Sequence, residues 1–278
     1  MKIAIASGKG GTGKTTVAVN LALSADNAQL LDADVEEPNA NLFLHTKFSE
    51  ERKVTVYVPE INKDRCTYCG ECSKFCAYNA LAVVPNKVLV FADLCHSCKG
   101  CELVCPEDAV GWRNREVGML RRGEQNGISV VEGDLNPGES QAIPVIKAVK
   151  QEINLEKTVI IDAPPGTSCP VMEAIEDSDF VILVTEPTPF GLHDLKLAVD
   201  VTRRMKLPFG VVINRYGVGD KRVELYCQQE EIPVLLKIPH ETLIASLYSD
   251  GEPFVNHMPA LKQDFQELLT RIKQEVSS

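Results

Sequence analysis

The 278-residue chain is 44% hydrophobic, enough to bury a full core, and its length admits one large domain or two ordinary ones. Its 29 Lys and Arg against 39 Asp and Glu give a formal net charge of −10, the wrong sign for gripping nucleic acid through its phosphates. No run reaches the roughly 18 apolar residues of a membrane helix, and the first residues read as a strand and loop, so neither a membrane span nor a secretory signal is expected and the predicted location is cytoplasmic.

In that setting ten cysteines read as metal ligands before disulfides, because a reducing compartment keeps thiols free. In chain order, Lys2–Ala6 predicts a strand and Thr16–Ala25 a helix, with Gly8-Lys9-Gly10-Gly11-Thr12-Gly13-Lys14-Thr15 between them. Gly, four residues, then Gly-Lys-Ser/Thr is the phosphate-binding P-loop pattern, and strand–loop–helix is the context it requires. The glycines let successive backbone N–H groups turn toward phosphate oxygens, and the helix opening at Thr16 adds its dipole. Lys14 is placed to neutralise the β- and γ-phosphates of ATP, and the Thr15 hydroxyl to ligate Mg²⁺. The alternative, a purely structural glycine turn, does not call for strand, loop and helix in this register. Gln29–Asp32 is the next strand and delivers Asp32-Ala33-Asp34, with Pro38-Asn39 close behind; each aspartate is a site candidate or a cap of the following segment.

Between about Val58 and Trp112 the character changes: eight of the ten cysteines fall there and no helix of ordinary length can be read. Cys66, Cys69, Cys72 and Cys76 recur as Cys95, Cys98, Cys101 and Cys105, each displaced by 29 positions, so the insert is a tandem duplication. C-x₂-C-x₂-C-x₃-C is the bacterial ferredoxin run, in which three cysteines hold one [4Fe-4S] cluster and the fourth ligates the other. The expected sets are Cys66, Cys69, Cys72 and Cys105 for one cluster and Cys95, Cys98, Cys101 and Cys76 for the second. Pro106 follows the second run, whereas Ala77 stands at the matching place in the first. Zinc is the alternative ligand, but a third close cysteine and an exchanged fourth suit one tetrahedral ion poorly. About 50 residues also make too small a core to stand without a metal.

Beyond the insert, Ile128–Glu132 and the turn Asn136-Pro137-Gly138 suggest a hairpin, and Pro144 opens a helix. Thr158–Asp162 and Phe180–Thr185 are continuously apolar in their middles, as strands covered on both faces should be. Asp162 ends its strand before Ala163-Pro164-Pro165-Gly166, where a carboxylate can hold the water shell of Mg²⁺. Leu192–Met205 reads as a helix, Gly210–Asn214 and Val234–Ile238 as strands. The stripe Leu261, Phe265, Leu268, Leu269, Ile272 and Val276 reads as a C-terminal helix, whose Asp264, Glu267 and Glu275 favour core packing over a membrane surface. Cys227 reads as a packed thiol and Cys169 as a structural, transient or metal-ligating one. The alternation predicts an α/β fold with a mostly parallel sheet covered by helices, divided as 1–57, an inserted α+β domain at 58–112, and 113–278.

Lys9 within the loop makes the chain resemble the deviant-lysine P-loop ATPases of the MinD/ParA/nitrogenase-iron-protein class; with the cysteine runs it looks like superfamily members that carry an inserted two-cluster ferredoxin-like domain. The resemblance implies that Lys9 reaches the phosphates of the opposite subunit in a dimer, that Asp34 orients the attacking water with Asp32 in support, that Asp162 is the Walker-B carboxylate, and that Gly166 is the second-switch hinge. It further implies that Asn214 reads the base and that Pro239 lines the base's other side. Cys169 lies where the nitrogenase iron protein has a ligand to its intersubunit cluster. Expected partners are a second copy or a related ATPase, and a redox protein. Three functions follow: ATP hydrolysis gating electron transfer through the clusters; iron-sulfur cluster assembly or carriage of the Mrp kind, whose C-terminal C-x-x-C this chain does not show; and spatial organisation in the manner of MinD or ParA.

Overall fold

In the computed structural model, which describes residues 1–277, strands alternate with helices because apolar runs long enough for one element recur between turn residues. The elements are β1 (Lys2–Ala6), α1 (Lys14–Ser24), β2 (Ala28–Asp32), α2 (Asn41–Leu44), β3 (Lys47–Ile61), α3 (Glu71–Phe75), β4 (Leu81–Val84), β5 (Lys87–Val90), α4 (Gly100–Leu103), β6 (Val110–Gln125), β7 (Ile128–Leu135) and α5 (Ile143–Lys150). They continue with β8 (Thr158–Asp162), α6 (Cys169–Ile175), β9 (Phe180–Thr185), α7 (Pro189–Arg204), β10 (Phe209–Tyr216), α8 (Arg222–Gln229), β11 (Val234–Pro239), α9 (Thr242–Ser249) and α10 (Pro259–Val276).

Nine strands form one sheet in the order β11-β10-β9-β1-β8-β2-β7-β6-β3. The run from β11 to β7 is parallel, and β6 and β3 extend it antiparallel. Alternate residues of the central strands feed two cores: Ala4 and Ala6 of β1 point to one, Ile3 and Ile5 to the other, and Val159 and Ile161 of β8 oppose Ile160 in the same way. Both faces are therefore dry, which is why these strands read as unbroken apolar runs. On one face α10 buries Leu261, Phe265, Leu268, Leu269 and Ile272. The predicted stripe stops there, for Val276 is exposed on the last turn.

Two differences from the sequence reading concern the antiparallel end. The hairpin into β7 turns at Asn126-Gly127, both with positive φ, ahead of the strand, and joins it to β6; Asn136-Pro137-Gly138 instead leads toward α5. The partner strands β3 and β6, of 15 and 16 residues, were not legible as strands. They form a ribbon paired from Lys47–Glu124 to Ile61–Val110, and along β3 only Val54, Val56, Val58 and Pro59 are buried, while charged residues occupy most of the exposed positions. Residues 62–109, with the eight clustered cysteines, sit at the far end of this ribbon around the separate two-stranded β4–β5 sheet.

Candidate nucleotide site and cysteine lobe

The glycine loop leaves β1 at the carboxyl edge of the parallel strands and ends at Gly13, whose φ of 93° is a left-handed conformation that costs glycine nothing. A Cβ there would also fall 2.3 Å from Asn214 Nδ2, so the position admits no side chain. No side chain caps α1, and its first-turn N–H groups are left to face the loop, as an anion site requires. Helix α1 begins at Lys14, two residues before the predicted start, which places Thr15 and Thr16 in its first turn. Lys14 is buried beside the acidic ends of β2 and β8.

Three carboxylates meet there. Asp32 and Asp162 lie opposite each other in the β2–β8 register, both fully buried, and Asp34 is nearly so. Their hydrogen bonding differs. Asp32 accepts from the backbone N–H groups of Asp34 at 3.2 Å and of Asn39 and Ala40 at 2.9 Å each, so it clamps the following loop. Both oxygens of Asp162 lack a hydrogen-bond partner among the described residues; the Thr15 hydroxyl lies near enough to favour its charge, short of a full bond. Burial drives all three carboxyls up. Asp34 rises to about 7, with Lys14 opposing the shift and Asp162, Glu37 and Glu36 adding to it. Asp162 is raised by burial against the pull of Lys14, and Asp32 by burial and by the facing Asp162. A buried carboxylate with no donor asks for a cation.

The segment after Asp162 runs alongside the loop: Ala163 donates to Ile5 O and Gly166 to Ser7 O, each at 3.0 Å. Asn214 directly follows the buried part of β10, its Nδ2 donating to Thr12 O at 2.9 Å. A cleft opens beside it, lined by Gly13, Thr16, Asn214, Pro239, Ile244 and Tyr248. The α9 residues Ile244 and Tyr248 were not foreseen, because their helix is largely exposed and carries no motif. Glu186 was missed too. It directly follows β9, is buried, and pairs with both Lys9, at 3.9 Å, and Arg215, at 2.8 Å. A charged residue closing an apolar run was the available signal.

In the lobe, Cys66, Cys69, Cys72 and Cys105 line one small void, and Cys76, Cys95, Cys98 and Cys101 line a second of near-equal size. The two repeats are built alike. Cys76 Sγ accepts the N–H of Ala80 and Cys105 Sγ that of Ala109, both at 3.3 Å. Burial, reinforced by neighbouring cysteines, raises the thiols of Cys72 and Cys101, the latter to about 11. Among the described residues no three His, Cys, Asp or Glu side chains gather as ligands of a single ion. The sulfurs stand around the voids instead. Cys169 is exposed at the start of α6, and Cys227 is a core thiol on α8, raised to about 11 by burial.

Residues 3–254 match the CobQ/CobB/MinD/ParA nucleotide binding domain family. The chain belongs to that family. An uncharacterized Methanocaldococcus jannaschii protein is 31% identical over 92% of both chains. An iron-sulfur cluster carrier protein of Pyrococcus horikoshii is 28% identical, over 98% of this chain and 85% of that one. The cell division ATPase MinD of Pyrococcus furiosus superposes at a TM-score of 0.60 and 20% identity, over 98% of each chain, a likeness of fold. A CobQ/CobB/MinD/ParA domain with this loop is a P-loop nucleotide-binding protein. No helix among the described residues is long and apolar enough to cross a membrane.

Proposed function

We propose that this chain is a cytoplasmic deviant-lysine ATPase in which nucleotide-driven dimerisation, with a second copy or a related ATPase, is coupled to electron transfer to or from a redox protein. The ATPase domain is 1–57 with 113–278, and 58–112 is an inserted ferredoxin-like domain for two [4Fe-4S] clusters. The observation that carries this reading is the grouping of eight cysteines around two near-equal voids, each completed by the fourth cysteine of the other repeat. That separation of sulfurs suits a multinuclear group better than one zinc ion, whose ligands converge at about 2.3 Å. When bound, the clusters supply one-electron chemistry at potentials tuned by burial, charge and N–H to sulfur hydrogen bonds.

At the nucleotide, Lys14 and the α1 N-terminus neutralise phosphate oxygens, while Thr15 and the unpartnered Asp162 hold Mg²⁺ with its water. Asp34 accepts a hydrogen bond from the attacking water, and Asp32 holds the loop that presents Asp34. Lys9 leaves Glu186 to meet the partner's phosphates, where charge builds during transfer. Asn214 and Pro239 border the base.

Carriage of clusters is the second reading, favoured by the likeness to iron-sulfur cluster carrier proteins along nearly the whole chain. Enclosure by four cysteines per void favours retention over release. Anaerobic reconstitution decides between them: about eight irons and eight sulfides per chain, with ATP altering the cluster potentials, is the expected result. Zinc in place of iron would remove the cluster reading, and ATP-dependent loss of clusters to an apo-ferredoxin would replace electron transfer with carriage.

A further inference from the structure

The duplicated cysteine runs differ at one strained position. In the first, Gly70 caps α3 at φ 85° and ψ −2°; 29 residues on, Lys99 caps α4 at φ 60° and ψ 3°. The backbone conformation is the same, yet it costs a lysine about 1–2 kcal/mol that glycine does not pay. Lys99 is also held: its Nζ lies 4.7 Å from the centroid of Tyr57 and 5.9 Å from that of Trp112. Trp112 and Lys99 both line the second void. Lys99 is the one formally charged side chain lining that void among the described residues, whereas Glu107 is the one lining the first. Glu102, which accepts from Trp112 Nε1 at 3.0 Å, lines neither.

Reduction adds one negative charge to a thiolate-bound cluster, so a cation beside it favours the reduced form and an anion opposes it. From this asymmetry, and resting on the two-cluster reading above, we propose that Lys99 makes the second cage the higher-potential of the two, so that the first electron entering the lobe comes to rest there. Uptake is one electron from a one-electron donor, with no bond broken and no proton required. The electron then lies in the cage whose lining includes the half-exposed rings of Phe75 and Tyr78, the latter stacked on His96 at 3.7 Å. The exposure of Lys99 itself screens its charge and limits the effect.

The test is an anaerobic redox titration of the full, cluster-loaded chain with dithionite, following both cluster signals by electron paramagnetic resonance. Lys99→Gly relieves the backbone strain, so loss of folding does not confuse the result. It should lower the higher midpoint and narrow the gap, changing the electron's partition between cages about tenfold, which is about 59 mV for a one-electron couple. Lys99→Arg should hold the parent gap. Gly70→Lys, where an added Cβ meets nothing within 4 Å, should raise the lower midpoint and narrow the gap from the other side. An unchanged or widened gap in Lys99→Gly, or equal shifts of both midpoints, overturns the assignment. Fewer than two cubanes per loaded chain overturns the cluster reading beneath it.

Discussion

At one end of the β3–β6 ribbon stands a nucleotide-binding body, at the other a cysteine lobe, and opposite physics holds each together. The body closes two extensive apolar cores over both faces of the sheet. The lobe's buried clusters are small and each includes cysteine: Cys72, Leu81, Cys101 and Val110 in one, Val58, Ala80 and Cys95 in the other. Apolar burial at about 25 cal/mol per Å² sustains the first without any ligand. In the second, sulfurs face two voids, and on the proposed reading the clusters they bind complete the interior. On that reading one chain joins a self-sufficient nucleotide-binding body to a module that folds around its metal, with a strand pair between them.

The largest effect expected from this contrast is metal removal. Chelating iron should abolish hydrogen-exchange protection over 62–109 while β1, β8 and β9 keep theirs; simultaneous loss in both regions would break the contrast. Phe265→Ala, a fully buried ring on α10, should cost the body about 3–5 kcal/mol in denaturant unfolding without changing the iron content of the folded fraction. Lys14→Ala should weaken nucleotide binding by up to about 100-fold, measured calorimetrically, since a buried charge-assisted contact is worth up to about 3 kcal/mol. Asp34→Asn should keep nucleotide binding and lower hydrolysis by about 100-fold; parental turnover would remove the role assigned to that carboxylate.

The smallest effect sharpens the electrostatics of the body. Asp34 is raised from an ordinary 3.8 to about 7 in the nucleotide-free protein, so between those values the folded chain binds a proton that the unfolded chain does not. Stability must then fall as pH rises across that window. Asp34→Asn should flatten the fall, read from denaturant midpoints at about pH 4.5 and 7.5, which span most of that window. An identical slope in the variant would show that Asp34 is not the group responsible.

The alternation of strands and helices was legible because covered parallel strands are apolar on both faces and need no distant information to be recognised. The ribbon was not: β3 and β6 stabilise each other through backbone pairing while exposing Glu50, Arg52, Lys53 and Arg113, so neither strand looks like one alone. In the site, the glycine loop was legible down to Lys14 and Thr15. The clamp made by Asp32 and the tether from Glu186 to Lys9 were not, since each joins groups whose pairing depends on how the loops fold.

By itself, then, the sequence determined what is set within a few residues: a loop of glycines that can wrap an anion, and two cysteine runs at metal-binding spacing, because backbone geometry over such distances follows from residue type. Tertiary structure alone decided which carboxylate is clamped and which stands bare, that Asn214 closes over Gly13, and that Lys99 rests on Tyr57 and Trp112 beside one void and not the other. Those relations join residues from a few to about two hundred positions apart through the way loops and strands fold, and only packing brings such groups within reach of one another's charge.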